Sequence, residues 1–228
     1  MDYTDNVNIK KNKKIYKKNC IYSLRYLKKI VGFINIDSLY SIDKKLHNKK
    51  IFQSNSKNHP GVVDINKIKN SFAGGVVSLL KNKIPKDKLF FFNQLRLINN
   101  ICRDSSAVFS TRNICHRWHS HIHKNILKIS KLLTICIIET SKNKFDSEDI
   151  VKSYSILKEK DKLYKKIKII KIFLPKLFAG PKEAYLQATV FNNLKFKFFS
   201  VGRDHAGVKN FYSKYSSQKI FDIIPQQW

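Results

Sequence analysis

The sequence predicts an α/β protein: a doubly wound, mainly parallel sheet preceded by a small, mainly β module. Two observations lead to this prediction. From about Leu89 onward, short apolar runs alternate with stretches of helical periodicity, which is typical of parallel strands joined by crossover helices. Between about Ile30 and Leu80, short apolar runs are instead separated by turn-forming residues. The 228 residues are enough for one large domain or two small ones.

The first third of the chain is predicted to contain a basic tail, a β module and a linker. Residues 1–18 are rich in lysine and asparagine, so we expect them to be frayed. The β module spans residues 19–85, and its apolar runs are Val31–Ile34, Lys50–Phe52, His59–Val63 and Phe72–Val77. The Pro-Gly pair at residues 60–61 and the glycine pair at residues 74–75 suit turns or close backbone approach. Lys81–Lys88 predicts a linker.

The second domain, residues 86–228, is predicted to alternate strands and helices. The strands are Ala107–Phe109, Thr134–Ile138, Ile167–Phe173 and Phe196–Val201. The first helix is predicted from about Arg117 to Leu133. Its core-facing residues recur at helical spacing and are Ile122, Ile126, Ile129 and Leu133. Acidic residues at Asp146–Asp149 open a second helix, and Pro181 lies in the first turn of a third.

The chain carries a formal net charge of +29, from 45 Lys and Arg against 16 Asp and Glu. Such a charge attracts polyanions through its long-range field. Exposed lysines are nevertheless usually solvated and contribute little to specific binding, and no nucleic-acid-binding motif is recognisable. We therefore do not expect nucleic acid to be the partner, although a basic nucleic-acid-binding protein stays open as an alternative.

The cysteines and histidines do not predict a metal centre or a disulfide framework. The four cysteines fit no CxxC spacing, and the chain shows no secretory segment, so reduced thiols in a cytoplasmic protein are expected. The histidines at 116, 119, 121 and 123 do not all converge on one helix face, and no carboxylate is nearby. No apolar run approaches the ~20 residues that span a bilayer, so no membrane association is expected.

Two short segments combine residue types that bind oxyanions. The first, Ser110–Ser120, contains Arg112 and two histidines three residues apart; the second is the hexapeptide Gly202–Gly207, which reads GRDHAG. Glycine allows backbone N–H groups to approach an anion, and arginine binds tetrahedral oxyanions with a planar fork. Each segment follows a predicted strand, and open parallel sheets bind ligands beyond the carboxyl ends of their strands. The segments therefore predict one site for a nucleoside triphosphate and a second anion.

In these motifs the chain resembles the ATP sulfurylase (sulfate adenylyltransferase) family. The first family signature reads roughly QTRNPxHRAHE, and residues 110–120 read STRNICHRWHS. The family's MRYAGPREA is similar to KLFAGPKEA at Lys176–Ala184, and its GRDHAG is intact at Gly202–Gly207. His59–Val62 resembles part of the family's PUA-like N-terminal module. The resemblance covers about Val31–Asp222 and implies a Rossmann-type, HxxH nucleotidyltransferase fold behind that module.

The resemblance also implies an activity and a set of site residues. The family joins sulfate to the α-phosphate of ATP, giving adenosine 5′-phosphosulfate and pyrophosphate, or runs the reverse reaction. The catalytic residues would be Thr111, Arg112 and Asn113, and sulfate would be held by Arg112 and the backbone N–H of Ala206. The ATP-binding residues would be Ser110, Asn113, His116, His119, Gly202, Arg203, Asp204 and His205. Mg²⁺ would arrive with ATP, bound chiefly by phosphate oxygens, and no protein-bound metal is expected.

Several motif positions depart from the family pattern, and they leave a second function open. The departures are Ser110 for glutamine, Ile114 for proline, Trp118 for alanine, Ser120 for glutamate and Leu177 for arginine. The alternative is a drifted, non-catalytic family member that binds nucleotide or a partner subunit. The sequence does not set the oligomeric state, and a homo-oligomer is compatible with it.

Overall fold

A computed structural model describes residues 16–80, 106–139 and 145–224. The chain divides into two compact units, with the boundary between residues 89 and 90. Most of the predicted basic tail, the predicted linker at Lys81–Lys88 and Cys102 lie outside the described residues.

The first unit contains a small antiparallel sheet, which confirms the β module. Its strands are β1 (Cys20–Tyr26), β2 (Lys29–Ser41) and β3 (Ser71–Leu79), hydrogen-bonded in the order β1-β2-β3. Two helices lie between β2 and β3 in the chain: α1 (Lys44–Phe52) and α2 (Pro60–Lys67).

Two apolar runs of the first unit are helical rather than extended. Lys50–Phe52 ends α1, and the turn expected at residues 60–61 is the first turn of α2. His59 caps α2 by accepting a hydrogen bond from the Val62 N–H at 3.4 Å, and Pro60 fits the first turn because its missing N–H is not needed there. Gly61 allows close packing of the two helices, since a Cβ there would lie 2.6 Å from the Phe52 ring.

The second unit is a four-stranded parallel sheet with helices between the strands, as the sequence predicts. The strands are β4 (Ser106–Thr111), β5 (Leu132–Glu139), β6 (Ile167–Phe173) and β7 (Phe198–Ser200), in the order β6-β5-β4-β7. The helices are α3 (Arg117–Ile129), α4 (Ser147–Lys160), α5 (Pro181–Asn193) and α6 (Ser216–Ile223), with a 3₁₀ turn at Lys162–Lys166.

Both faces of the parallel sheet are covered by apolar side chains, which makes it doubly wound. On one face, Phe109 and Ile135 pack with Tyr154 of α4 and with apolar residues of α3. On the other face, Val108 and Cys136 pack with Phe191 of α5. Alternate residues of each strand therefore enter different cores, in agreement with the period of two along a strand.

The first helix of this unit is shorter than predicted. It ends at Ile129, where the Ser130 N–H and hydroxyl both donate to the Ile126 carbonyl. Leu133, expected on the helix, is fully buried in β5, and Ile129, expected in the core, is 66 % exposed. The capping serine ends the helix before its apolar periodicity does.

The strand order reverses beside β4, because β5 lies on one side of it and β7 on the other. Ligands of open parallel sheets bind in the crevice at such a point. Among the described residues, no helix is long and apolar enough to cross a membrane.

Candidate active site

Both oxyanion motifs begin at the carboxyl ends of β4 and β7, which are adjacent parallel strands. Thr111 is the last residue of β4, and Gly202 follows β7 after a single intervening residue. β4 pairs with β7 from Ala107 to Phe109, so the two strands emerge on the same edge of the sheet. This topology places the predicted site at the switch in strand order.

The turn after β4 is closed by Thr111. Its hydroxyl Oγ1 accepts from the Asn113 N–H at 3.0 Å and lies 3.2 Å from the Asn113 carbonyl. Thr111 is only 6 % exposed, whereas Asn113 is exposed. Turns at strand ends often contain a hydroxyl that forms a hydrogen bond with the backbone two residues further along the chain. Thr111 therefore shapes the turn that contains Arg112 and Asn113.

Arg112 is held by a buried carboxylate of α5. Its Nη2 donates to Glu183 Oε1 at 2.9 Å, and the other oxygen of Glu183 accepts from the Ala179 N–H at 3.3 Å. The Glu183 side chain is 3 % exposed and that of Arg112 is 23 % exposed, so the pair is largely shielded from solvent screening. The guanidinium still carries N–H groups that Glu183 does not use.

His116 and His119 stack at the start of α3. Their ring centroids are 3.8 Å apart with an interplanar angle of 28°, and His116 is the N-cap residue. The His119 ring also meets the edge of Phe109 at 5.1 Å. Burial, reinforced by the neighbouring His116, lowers the pKa of His119 to about 4. The pair therefore forms a polar surface at a helix N-terminus, where backbone N–H groups also favour anions.

The Gly202–Gly207 loop is anchored by the chain that follows it. The Arg203 carbonyl accepts from the Tyr215 N–H at 2.9 Å, and the His205 carbonyl accepts from the Ser217 hydroxyl at 2.6 Å. The loop bends through Ala206, whose φ of 55° is left-handed and unusual for a residue with a Cβ. Arg203 and Asp204 are exposed and lie 3.2 Å apart, a surface pair of little energetic weight.

His205 connects the loop to β4 through α5. Its Nε2 lies 2.8 Å from Oε1 of Gln187, and the Ser110 hydroxyl donates to the same oxygen at 3.5 Å. Burial and, after it, the nearby charge of Arg112 lower the pKa of His205 to about 4. The first motif and the GRDHAG loop are thus joined through one residue of α5.

The start of α5 is fitted closely to the segment after the loop. Gly180 has a φ of +51°, and a Cβ there would lie 2.5 Å from the Tyr212 ring. The Tyr212 hydroxyl donates to the Phe178 carbonyl at 2.9 Å. Burial, and then the Glu183 carboxylate, raise the pKa of Tyr212 to about 12. The AGPKEA segment therefore has a structural role: it fixes where α5 begins.

The bulky departures from the family motif face solvent. Trp118 is 75 % exposed and Ile114 is 36 % exposed. Leu177 is also exposed, and the Lys176 Nζ lies 5.0 Å from the centroid of the Phe178 ring. The large indole is therefore not packed into the core of this unit.

The structure thus brings most predicted site residues to one edge of the sheet, in two groups. Arg112, Ser110 and His205 are linked through α5, whereas among the described residues the His116–His119 pair makes no hydrogen bond or ring contact with the Gly202–Gly207 loop. The sequence-based site missed Glu183 and Gln187. Glu183 lies within the AGPKEA motif, and Gln187 is a polar residue one turn later on the same helix face.

The other histidines near the site have separate surroundings. His121 is exposed and lies 3.1 Å from the Asn125 amide, while the Nδ1 of His123 lies 3.2 Å from the Tyr164 hydroxyl in the core. In the part of the chain that the structure describes, no three His, Cys, Asp or Glu side chains lie close enough together to hold a metal ion.

The fold defines a doubly wound α/β domain that follows a small, mainly β unit in the chain, with the two motifs at the switch in strand order. A model of the ATP-sulfurylase family matches residues 97–228, and a model of the PUA-like domain matches residues 6–82. The chain belongs to the ATP sulfurylase family, which confirms the resemblance seen in its motifs.

Curated relatives agree with this assignment. The chain is 28% identical over 208 residues to the sulfate adenylyltransferase of Staphylothermus marinus, covering 89% of this chain and 54% of the relative. It is 29% identical to the sulfate adenylyltransferases of Pyrococcus abyssi and of a Synechococcus species, covering 86% and 85% of this chain and 53% and 51% of those relatives. The chain therefore spans about half the length of the curated relatives it matches.

Proposed function

We propose that this protein is a sulfate adenylyltransferase, which transfers the adenylyl group of ATP to sulfate and releases pyrophosphate. One observation carries the proposal: residues of α5 contact both Arg112, which follows β4, and His205, which lies in the loop after β7, so the two motifs are joined at one edge of the sheet. Membership of the ATP sulfurylase family, with relatives named sulfate adenylyltransferase, supports the same reaction.

The reaction requires alignment and charge stabilisation more than acid–base chemistry. A sulfate oxygen attacks the α-phosphorus of ATP and forms a new S–O–P bridge. The bond between the α-phosphorus and the oxygen it shares with the β-phosphorus breaks, and its electron pair leaves with pyrophosphate. Sulfate is already ionised, so no general base is needed. Placing the two anions in line and stabilising the added charge on the α-phosphate are the tasks of the site.

Arg112 and the Gly202–Gly207 loop are proposed to bind sulfate. The guanidinium has five N–H donors, and Glu183 accepts from Nη2, which leaves other donors for the tetrahedral anion. The Glu183 carboxylate is itself anchored, because its second oxygen accepts a hydrogen bond from the Ala179 N–H. The left-handed backbone at Ala206 reorients the loop where its N–H is proposed to meet sulfate.

The remaining site residues are proposed to bind ATP. The His116–His119 pair at the N-terminus of α3 would contact the β- and γ-phosphates that leave as pyrophosphate. Thr111 and Asn113 would shape the turn that meets the α-phosphate. Ser110 and the residues Gly202 to His205 would line the nucleotide pocket. ATP would enter as its Mg²⁺ complex, with the ion bound by phosphate oxygens.

The test is pyrophosphate release that depends on both ATP and sulfate, together with ATP formation from adenosine 5′-phosphosulfate and pyrophosphate. Measuring both directions covers either physiological role. Turnover in either direction that is lost in the Arg112→Ala variant supports the proposal. Folded protein that turns over in neither direction would refute it.

A second candidate, a non-catalytic family member that binds nucleotide, is favoured by one observation. Ser110, which stands for the family's glutamine, donates to Gln187 rather than extending a long amide into the crevice. ATP binding by calorimetry without turnover, and without gain of turnover in Ser110→Gln, would establish this alternative.

A further inference from the structure

Gln187 lies at the centre of a hydrogen-bonded chain that joins the two motifs, although neither motif contains it. It is 4 % exposed on α5. Its Oε1 accepts from the Ser110 hydroxyl at 3.5 Å and lies 2.8 Å from Nε2 of His205. Because Ser110 is in β4 and His205 follows β7, one amide oxygen bridges three elements of the fold.

The chemistry of that oxygen identifies the donor in the shorter contact. A carbonyl oxygen only accepts hydrogen bonds and has two lone pairs, so the Ser110 hydroxyl and the His205 Nε2–H both donate to it. A neutral imidazole carries one proton, and a proton on Nε2 leaves a lone pair on Nδ1. The low pKa of His205, set by burial and by Arg112, keeps the ring neutral.

Other contacts hold the His205 ring and its backbone in one orientation. The Phe199 ring meets the imidazole edge-on, with centroids 5.4 Å apart and an interplanar angle of 89°. The His205 carbonyl accepts from Ser217, and its N–H donates to the Gly202 carbonyl at 3.3 Å. A ring fixed in this way presents its lone pair in one direction.

We propose that Gln187 is a positioning residue that holds His205 in the Nε2–H tautomer, so that Nδ1 is a hydrogen-bond acceptor within the nucleotide site. The chemical partner of an acceptor nitrogen is an N–H or O–H group of the nucleoside rather than a phosphate oxygen. The assignment of His205 to nucleotide binding rests on the proposed function; the tautomer does not.

The tautomer is tested in the unmodified 228-residue chain by long-range ¹H–¹⁵N spectra of the imidazole rings at about pH 7.5, where the neutral form dominates. The His205→Gln variant identifies the His205 resonances by their loss. We expect a protonated Nε2 and an unprotonated Nδ1. The Nδ1–H tautomer would overturn the proposal whether or not the protein uses sulfate.

Substitutions of Gln187 test its causal role. Gln187→Met keeps the length and removes the acceptor, so it should produce a mixture of tautomers and weaken ATP binding about tenfold by calorimetry. Gln187→Glu retains an acceptor oxygen and should keep a proton on Nε2 of His205. Leu186→Met, at a 42 % exposed neighbour on the same helix, is the control and should change neither.

The outcomes separate this proposal from the proposed function. An unaltered His205 tautomer in Gln187→Met would overturn the role of Gln187. An altered tautomer with unchanged ATP affinity would overturn the place of His205 in nucleotide binding, and would count against the proposed function instead.

Discussion

The Gly202–Gly207 loop and the Thr111–His119 segment lie at adjacent strand ends, yet different forces hold them. The loop is held by hydrogen bonds from Tyr215 and Ser217, in the chain that follows it, and Gln218 donates to the carbonyl of Val201 just before it. The segment is held by the Thr111 turn, by the ion pair of Arg112 with Glu183 of α5 and by a stacked pair of imidazoles, and its helix has no side-chain hydrogen bond at the N-cap. The loop is therefore held mainly by residues close to it in the chain, whereas the segment depends on a contact with the distant helix α5 and on contacts between its own rings.

The Thr111–His119 segment also contains buried polar atoms that have no hydrogen-bond partner. Among the described residues, the buried Nε of Arg112 and Nδ1 of His119 have no hydrogen-bond partner, and both belong to the Thr111–His119 segment. An unsatisfied buried polar group costs about 1–3 kcal/mol. These two nitrogens therefore remain able to bind a polar group of a ligand.

The largest expected effect is loss of turnover in Arg112→Ala. Removing the guanidinium should lower sulfate-dependent pyrophosphate release by about 10³-fold or more, because preorganised charge contributes on this scale. Arg25→Ala, at an exposed arginine of the first unit, is the matched control and should leave the rate unchanged. Retention of more than about a tenth of the activity would contradict the assignment of Arg112.

The next largest effect should be on stability, in Glu183→Gln. This change leaves the shielded Arg112 charge without its partner and should lower the free energy of unfolding by about 3 kcal/mol, measured by urea denaturation. Glu159→Gln, at an exposed carboxylate of α4, is the control. A loss of less than about 1 kcal/mol, the range of surface pairs, would show that the ion pair is solvated.

The pH dependence of stability should report on three histidines whose pKa values in the folded protein are lowered mainly by burial. The folded pKa values of His119 and His205 lie at about 4 and that of His123 at about 3, below the ordinary 6.5. The unfolded chain therefore binds more protons below about pH 6.5, so these groups stabilise the fold above that pH and the stability falls as the pH approaches 4.

Urea denaturation at about pH 7.5 and about pH 4.5 checks this sign. His123→Phe removes one buried titrating ring and should reduce the loss between the two pH values, whereas His121→Phe, at an exposed histidine, should not. Equal pH dependence in the two variants would mean that burial of His123 is not the cause.

A smaller effect is expected in Ser217→Ala, which loosens the Gly202–Gly207 loop. It removes the hydrogen bond to the His205 carbonyl and should cost about 1 kcal/mol of stability. The KM for ATP should rise several-fold with little change in kcat, since binding geometry rather than chemistry is affected. Ser213→Ala, at an exposed serine nearby, serves as the control; an equal rise in KM there would contradict the role of the anchor.

The smallest effect is expected in Trp118→Ala. An indole that is 75 % exposed contributes little packing, so stability should change by less than about 0.5 kcal/mol and the KM for ATP should stay the same. Steady-state kinetics and denaturation measure both. A marked fall in KM would show that the indole obstructs the crevice.

The sequence predicted most of the second unit because its signals are local and repeated. The alternation of strands and helices, and the placement of Arg112 and Gly202 just beyond strand ends, follow from hydrophobic period alone. The predicted helix end at about Leu133 was wrong: the helix ends at Ile129, because a capping serine outweighs periodicity. The helices α1 and α2 were missed because each is about two turns long and lies between turn-forming residues.

The hydrogen-bond partners of the motif residues could not be predicted from sequence patterns. Glu183 is 71 residues from Arg112, and Gln187 is 77 residues from Ser110. Which polar residue of α5 meets which motif depends on the rotation and packing of that helix over the sheet. Periodicity identifies the buried face of a helix but not the side chain that it will contact.

Glu183 and Gln187 stand one helical turn apart on α5, so one rigid element carries the supports of both proposed substrates. Thermal displacement of α5 would move Arg112 and His205 together. When the first ligand restricts the motion of α5, the second ligand binds with a smaller loss of conformational entropy. Sulfate and ATP are therefore expected to bind with positive cooperativity even without a change in mean structure, and calorimetric titration of one in the presence of the other would measure the coupling free energy.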